Sequence, residues 1–479
     1  MKKKYYIYII SLSLFAIYLL SYINITNGMI IENYTEIIYF LSVLGTILYV
    51  FCVYTWYKVR HKIIDLYNIF LTLYFLFNFG QCFMWAFNIH KIGEIGSCAN
   101  YGVILTNKDI ILTQMTTLAC MVFFHCGAIC CSTKKRITYR KYNIKNEVMY
   151  KKNMSLYCKI LLAFVTPVTF YILYKKYLIS SQYGYNYVFY GEYDIGYISL
   201  VGRLFFPCIY GVLFSCDFNK KTVYNCYGLI AIYFVISLLI GSRGSIVYEL
   251  FIFIYLHNRY VNKISLRNAI VYFFILFGML SLFSTVETLR DGGLNIDSLI
   301  EKFSLENNAI IDSIFEIGGT MAVQGIIIQN GYKIYPYGNT YILGILAIVS
   351  EKVVRMINPS YLDLNTWFSS QYLKLNYGAG FSIVGEVLLN FGPYVGPLMM
   401  FVIGYVITYL AMNLEQQSCK KAIFSLISFS SFVMFIRGTF GYYIKYWFFV
   451  ITIFYALFWV FKMFRNNNFR DMQEFYGNK

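Results

Sequence analysis

Residues 377–392 include Tyr377-Gly378-Ala379-Gly380-Phe381-Ser382-Ile383-Val384-Gly385-Glu386 and then Asn390-Phe391-Gly392. They close the segment 287–391, the one long stretch between apolar runs that does not itself suit a bilayer. The segment carries Arg290, Asp312, Glu316, Arg355, Asp363 and Glu386. That is dense charge for a chain in which 13 % of residues are charged and 59 % are apolar. The rest of the chain reads as a membrane scaffold that holds this segment on one face of a bilayer.

Working outward, apolar runs of about 20 residues recur, the length a helix needs to cross the hydrocarbon core. They are continuously apolar rather than alternating, which argues against an antiparallel barrel. The expected spans are 5–23, 36–57, 66–88, 109–131, 157–174, 196–216, 223–240, 245–257 (short), 268–286, 393–413, 422–436 and 442–461. The chain is thus expected to be an all-α polytopic membrane protein of about twelve spans. Three regions follow: a nine-span bundle over 1–286, a long external segment over 287–391, and a three-span bundle with a tail over 392–479. Lys2–Lys4 before the first run resemble a signal peptide, but no small-residue cleavage site follows, so a retained helix is expected. Within the long segment, 309–329 is broken by Asp312, Glu316 and Gly318-Gly319, and 342–354 is too short to span. Both are expected as helices lying at the interface or packed on the bundle.

The net charge of +17 is explained by orientation rather than by nucleic acid. Basic residues gather on the N-terminus, the loops 58–62, 132–156, 217–222, 258–267 and 414–421, and the C-terminal tail, all on one face in an alternating count. That face should be cytoplasmic, with both termini on it. No nucleic-acid-binding motif opposes this reading. Of the twelve cysteines, many lie inside apolar runs and read as small hydrophobes. His61 and His257 fall on the cytoplasmic side, His125 lies inside a span, and His90 is the external histidine. No metal site and no cofactor are expected.

Four arginines stand out by position. Arg243 lies in the turn Gly241-Ser242-Arg243-Gly244 and Arg437 in Arg437-Gly438-Thr439-Phe440-Gly441, both external. Arg290 follows the ninth span. Arg203 lies within the sixth, about 10 Å below its external end at ~1.5 Å per residue. Short external turns rarely carry arginine, and an arginine within a span invites a functional reading. Guanidinium presents a fork of donors that suits phosphate, so arginines converging from several spans would bind a diphosphate. Each has an alternative role as interfacial anchor or acid partner: Glu249 for Arg203, and Glu287 for Arg290. Glu386 is the best acid, because partial burial there would suit general acid–base work. Its alternative is to balance one of the arginines. Tyr187 and Tyr190, in the Tyr-rich loop 175–195, are candidates for stacking on sugars, or else anchors in the interfacial aromatic belt.

The layout, the Gly-Ser-Arg-Gly turn at 241–244, and the Gly-x-Gly-Phe-Ser…Glu…Asn-Phe-Gly approach to the next span together resemble the Wzy-type repeat-unit polymerases of bacterial O-antigen and capsule synthesis. The residue-level likeness is confined to 241–244 and 378–392. The resemblance implies a membrane-embedded glycosyltransferase of the C type at the outer face of the cytoplasmic membrane. It would move the growing glycan from undecaprenyl diphosphate onto a lipid-linked repeat unit, without nucleotide sugar or metal, with a chain-length regulator as possible partner. It implies that external arginines, Arg243 above all, handle the diphosphate, and it carries Glu386 over as a catalytic candidate beside Arg243 and Arg290. Ligase relatives rely on a histidine in the long loop, which this chain lacks. The rival readings are a flippase or other transporter of lipid-linked oligosaccharide, an O-antigen ligase-like enzyme, and a membrane acyltransferase.

Overall fold

The computed structural model describes residues 2–29, 32–134, 144–183, 198–240, 243–265, 267–268, 309–415 and 418–477. Among these every regular element is helical. In chain order they are α1 Lys2–Thr26, α2 Tyr34–Arg60, α3 Leu66–Ala86, α4 Gly96–Tyr101, α5 Asn107–Lys134, α6 Ile144–Tyr183, α7 Ile198–Gly202, α8 Phe205–Ser215, α9 Lys220–Ile240 and α10 Arg243–Leu256. After the long segment begins come α11 Ala309–Gly318, α12 Met321–Asn330, α13 Thr340–Val349 and α14 Glu351–Ile357. The chain finishes with α15 Ile383–Asn413, α16 Cys419–Val433 and α17 Phe440–Gly477.

Ten helical stretches among the described residues are long and apolar enough to cross a membrane. They match ten of the expected spans. The eighth expected span appears as α10, 14 residues long, and residues 269–286 of the ninth lie outside the described residues. The tenth span departs from expectation. Pro393 reads in sequence as its first residue, since proline suits a helix start. Instead the helical run begins at Ile383 and continues through a kink at Gly392 (φ 67°, ψ −178°) into Pro393. The stretch 383–388 is therefore buried helix. α6 also runs further than its apolar core. Its 40 residues make a rod of about 60 Å at ~1.5 Å per residue, about twice the hydrocarbon thickness, and Lys145, Lys151 and Lys152 lie on it rather than in a loop.

The chain divides into two compact units. One holds Met1–Lys135, Phe251–Tyr409 and Val433–Tyr442; the other holds Arg136–Leu250, Leu410–Phe432 and Tyr443–Lys479. In the first unit α3 is buried on nearly all sides, as expected for a helix apolar all round. Its Gly80 lies against Gly318 of α11, where an added Cβ would come within 3.2 Å of Gly318 Cα, and Gln81 Nε2 donates to Phe315 O at 3.0 Å. Small residues also let α5 and α15 touch through their backbones. A Cβ on Gly127 would sit 1.9 Å from Phe401 O, and one on Gly404 2.0 Å from Phe124 O. The apolar part of the 309–329 segment turns out to be core: Met321–Ile327 is buried. Gln324 there donates to Asn78 Oδ1 at 2.9 Å and Ser382 Oγ at 3.1 Å, and accepts from Thr117 Oγ1 at 2.6 Å. These polar groups answer one another, which is what makes their burial tolerable.

In the second unit α6 and α8 pack closely, with Gly211 against Cys158 Sγ. α17 joins them through Tyr157, whose hydroxyl donates to Phe454 O at 2.7 Å. Trp447 Nε1 donates to Ser428 Oγ on α16 at 2.8 Å.

Candidate functional site

The site of the first unit is built on the turn between α16 and α17. After a short 3₁₀ turn at Met434–Arg437 the chain passes through Gly438 and Thr439 and starts α17 at Phe440. Two hydrogen bonds tie this turn to the motif stretch. Phe381 N–H donates to Arg437 O at 3.4 Å, and Phe440 N–H donates to Glu386 Oε2 at 2.7 Å. Gly380 (φ 74°) faces Arg437, with its ideal Cβ position 3.6 Å from Nε; its positive φ is what favours glycine there.

Glu386 is completely buried, more so than the partial burial expected from sequence. Both its oxygens are used, because Thr340 Oγ1 donates to Oε1 at 2.5 Å. The first N–H of a helix has no partner within the helix. For α17 the Glu386 carboxylate supplies one, and its negative charge suits the positive end of the helix dipole. Asn390, one turn on, does the same for α13. Its Oδ1 accepts from Thr340 N–H at 2.7 Å, while its Nδ2 donates to Thr340 Oγ1 at 2.8 Å and Glu386 O at 2.7 Å. Asn339 caps the next two N–H groups of α13. The Glu…Asn pair of the motif therefore holds the starts of two helices. Tyr341 of α13 then packs its ring 4.8 Å from that of Phe440, and Gly344 allows Gly441 to approach closely.

Arg437 is exposed, and no acid pairs with it among the described residues. Tyr101 stands by it, donating its hydroxyl to Ala379 O at 3.0 Å. Burial raises the Tyr101 phenol to about 12, with the Arg437 charge pulling the other way, so it stays a donor. The result is a fixed turn that presents one guanidinium and the backbone of 378–380.

The second unit contains Arg203 and Glu249, which the sequence offered as a pair. They have other partners. Arg203 lies at the break between α7 and α8, with its guanidinium 5.0 Å from the centre of the Tyr446 ring. Glu249 is buried and accepts from the hydroxyls of Tyr210 and Ser430, the latter at 2.5 Å. Arg243 is the first residue of α10. Arg290, Tyr187 and Tyr190 lie outside the described residues. His125, the histidine an acyltransferase would need, is buried and held by Tyr67 OH at 2.6 Å and Thr55 Oγ1 at 2.9 Å. No group of three or more potential metal ligands occurs among the described residues.

Of the expected site residues, then, Glu386 and Arg437 are joined through one turn. Thr340 and Tyr101 were not anticipated. An Asn before an apolar run marks a helix start at Asn339-Thr340, but nothing local connects Thr340 to Glu386.

Comparison with curated proteins and with solved structures gives no match. The family model for the O-antigen polysaccharide polymerase Wzy matches residues 4–468. With nearly the whole length matched, this multi-pass membrane protein belongs to the Wzy family of O-antigen polysaccharide polymerases.

Proposed function

We propose that the chain joins oligosaccharide repeat units carried on undecaprenyl diphosphate, at the outer face of the cytoplasmic membrane. The observation that carries this reading, beside family membership, is the exposed Arg437 on a turn fixed by Glu386 and Phe381. In the reaction a hydroxyl of the incoming lipid-linked unit attacks the anomeric carbon of the growing glycan. A new glycosidic bond forms, the bond from that carbon to the carrier diphosphate breaks, the diphosphate leaves with the electron pair, and the hydroxyl's proton passes to the departing diphosphate or to water. A guanidinium already in place meets the charge that develops on the leaving group. Arg437 is proposed for this role, with Arg243, Arg290 and Arg203 as further groups of the same chemistry, so that no metal is needed. Glu386 has no exposed surface and both oxygens engaged. It is better suited to hold the Arg437 turn than to take the acceptor's proton. Tyr187 and Tyr190 are proposed as sugar platforms.

The basic loops support termini on the cytoplasmic side. A chain-length regulator belongs to the reading by family likeness alone. The test is surface-polymer profiling in the source bacterium after gene deletion and complementation. Collapse of the ladder to single repeat units supports the proposal. An unchanged ladder in the deletion strain refutes it, and accumulation of lipid-linked units without single capped units would favour a flippase or ligase.

A further inference from the structure

Two cations of the second unit, Lys176 and Arg203, stand on neighbouring helical stretches, and no acid among the described residues pairs with either. Ile172 and Lys176 are one turn apart on α6, so their side chains share a face. At Ile172 that face meets α7: an added Cβ on Gly202 would fall 2.7 Å from Ile172 Cδ1 and 3.8 Å from Thr169 Oγ1. The close approach at Gly202 places Arg203, the next residue, against the face of α6 that carries Lys176, within electrostatic reach of its ammonium. Both side chains are half-buried. The Tyr446 ring orients the guanidinium. Neither cation pairs with a carboxylate among the described residues, and Glu249 of the same unit is taken up by Tyr210 and Ser430.

Like charges held together away from bulk water repel, and both residues stand on apolar, span-length helical stretches, where an ionised group needs a partner. An anion between them removes the repulsion. A guanidinium fork and an ammonium point charge together match a phosphate group. The neighbouring Lys175 lies 5.8 Å from the Tyr171 ring centre, the pairing of basic and aromatic side chains that marks a membrane interface.

We propose that Lys176 and Arg203 form a binding site for a lipid-borne phosphate group, the carrier diphosphate of a polymerase substrate. The choice of carrier rests on the polymerase reading; the phosphate site rests on the two cations. Lys176 is then a binding residue that the sequence motifs do not mark.

The experiment uses the full-length protein in phosphatidylcholine nanodiscs, with undecaprenyl diphosphate and phosphatidylglycerol as separate probes, read by native mass spectrometry. Wild type should retain undecaprenyl diphosphate in preference to phosphatidylglycerol. Lys176→Met, which keeps the apolar stem, should weaken that retention about ten-fold, the scale of one charged hydrogen bond. Lys176→Arg should restore it, with equal melting temperatures in all three proteins. Equal retention of both lipids, with equal loss in Lys176→Met, would make the pair a headgroup anchor and overturn the carrier assignment. Unchanged retention in Lys176→Met would overturn the site. Wild-type protein is assayed in parallel on lipid-linked repeat units. Active wild type with unaltered Lys176→Met sinks this inference alone, whereas inactive wild type counts against the polymerase reading whatever Lys176 does.

Discussion

The Glu386 carboxylate accepts the backbone N–H of Phe440 at 2.7 Å, across 54 residues of sequence. A side chain of α15 thereby starts α17 and fixes the turn on which Arg437 sits. This relationship separates two roles for the acid. In Glu386→Gln the amide oxygen can still accept from Phe440, and the amide nitrogen can donate to the Thr340 hydroxyl. If Glu386 holds the turn, Gln should keep most of the polymer ladder. Alanine should lose it, because it orphans two buried groups at about 1–3 kcal/mol each. A Gln variant that folds normally yet makes no polymer would return Glu386 to the role of base.

Arg437 is exposed, and its tie to the motif stretch is made by its backbone carbonyl, which accepts from Phe381 N–H. Arg437→Ala keeps that bond. Its stability should fall within about 0.5 kcal/mol of wild type, while polymerisation should fall by ten-fold or more as a charged contact to the leaving group disappears. Arg437→Lys should recover only part, since a point charge replaces a fork. Thermal melting beside an in vitro chain-extension assay checks both halves. A large drop in melting temperature with alanine would show that the residue supports the fold.

Gly127 and Gly404 form reciprocal contacts with Phe401 O and Phe124 O. Neither backbone can yield without separating α5 from α15. Gly404→Ala should therefore destabilise the protein by about 1–3 kcal/mol, the scale of overpacking a tight core. Detergent-solubilised melting curves decide it, and an unaltered curve would mean that the helices do not meet so closely.

Glu249 offers a contrast to Glu386. Its two donors are hydroxyls, from Tyr210 and Ser430, and hydroxyls rotate and also accept. Glu249→Gln should be nearly silent in both melting temperature and ladder. Glu249→Leu should lower stability by leaving the buried Tyr210 hydroxyl and the half-buried Ser430 hydroxyl without their acceptor. If Gln is as damaging as Leu, the charge itself matters at this position.

Span positions were legible in the sequence because burial in hydrocarbon demands long apolar runs with nothing else in them. The same logic failed at the tenth span. Pro393 fits a helix start, and only the backbone shows that Gly392 kinks the chain and that helix already exists from Ile383. For residues 321–327 the apolar run was plain, but its place was not, because the groups that bury it, Asn78, Thr117 and Ser382, lie far away in sequence. Part of the geometry around 378–392 is legible: glycine and charge mark a stretch that the structure ties to the turn carrying Arg437. What Glu386 and Asn390 do there depends on Thr340 and Phe440, and no local pattern joins residues that far apart. Arg203 went to Tyr446 rather than Glu249 for a related reason: Tyr210 and Ser430 satisfy the acid without a cation.

The rod of α6 has a practical consequence for imaging. Small membrane proteins are hard to align in single-particle micrographs because little of their mass stands clear of the detergent belt. A helix of about 60 Å, whose N-terminal end extends about 20 Å beyond the expected span 157–174 at ~1.5 Å per residue, is a natural splice point. Continuing it in register, upstream of Ile144, into a rigid helical fusion partner would give each particle a fiducial that shares the orientation of the second unit.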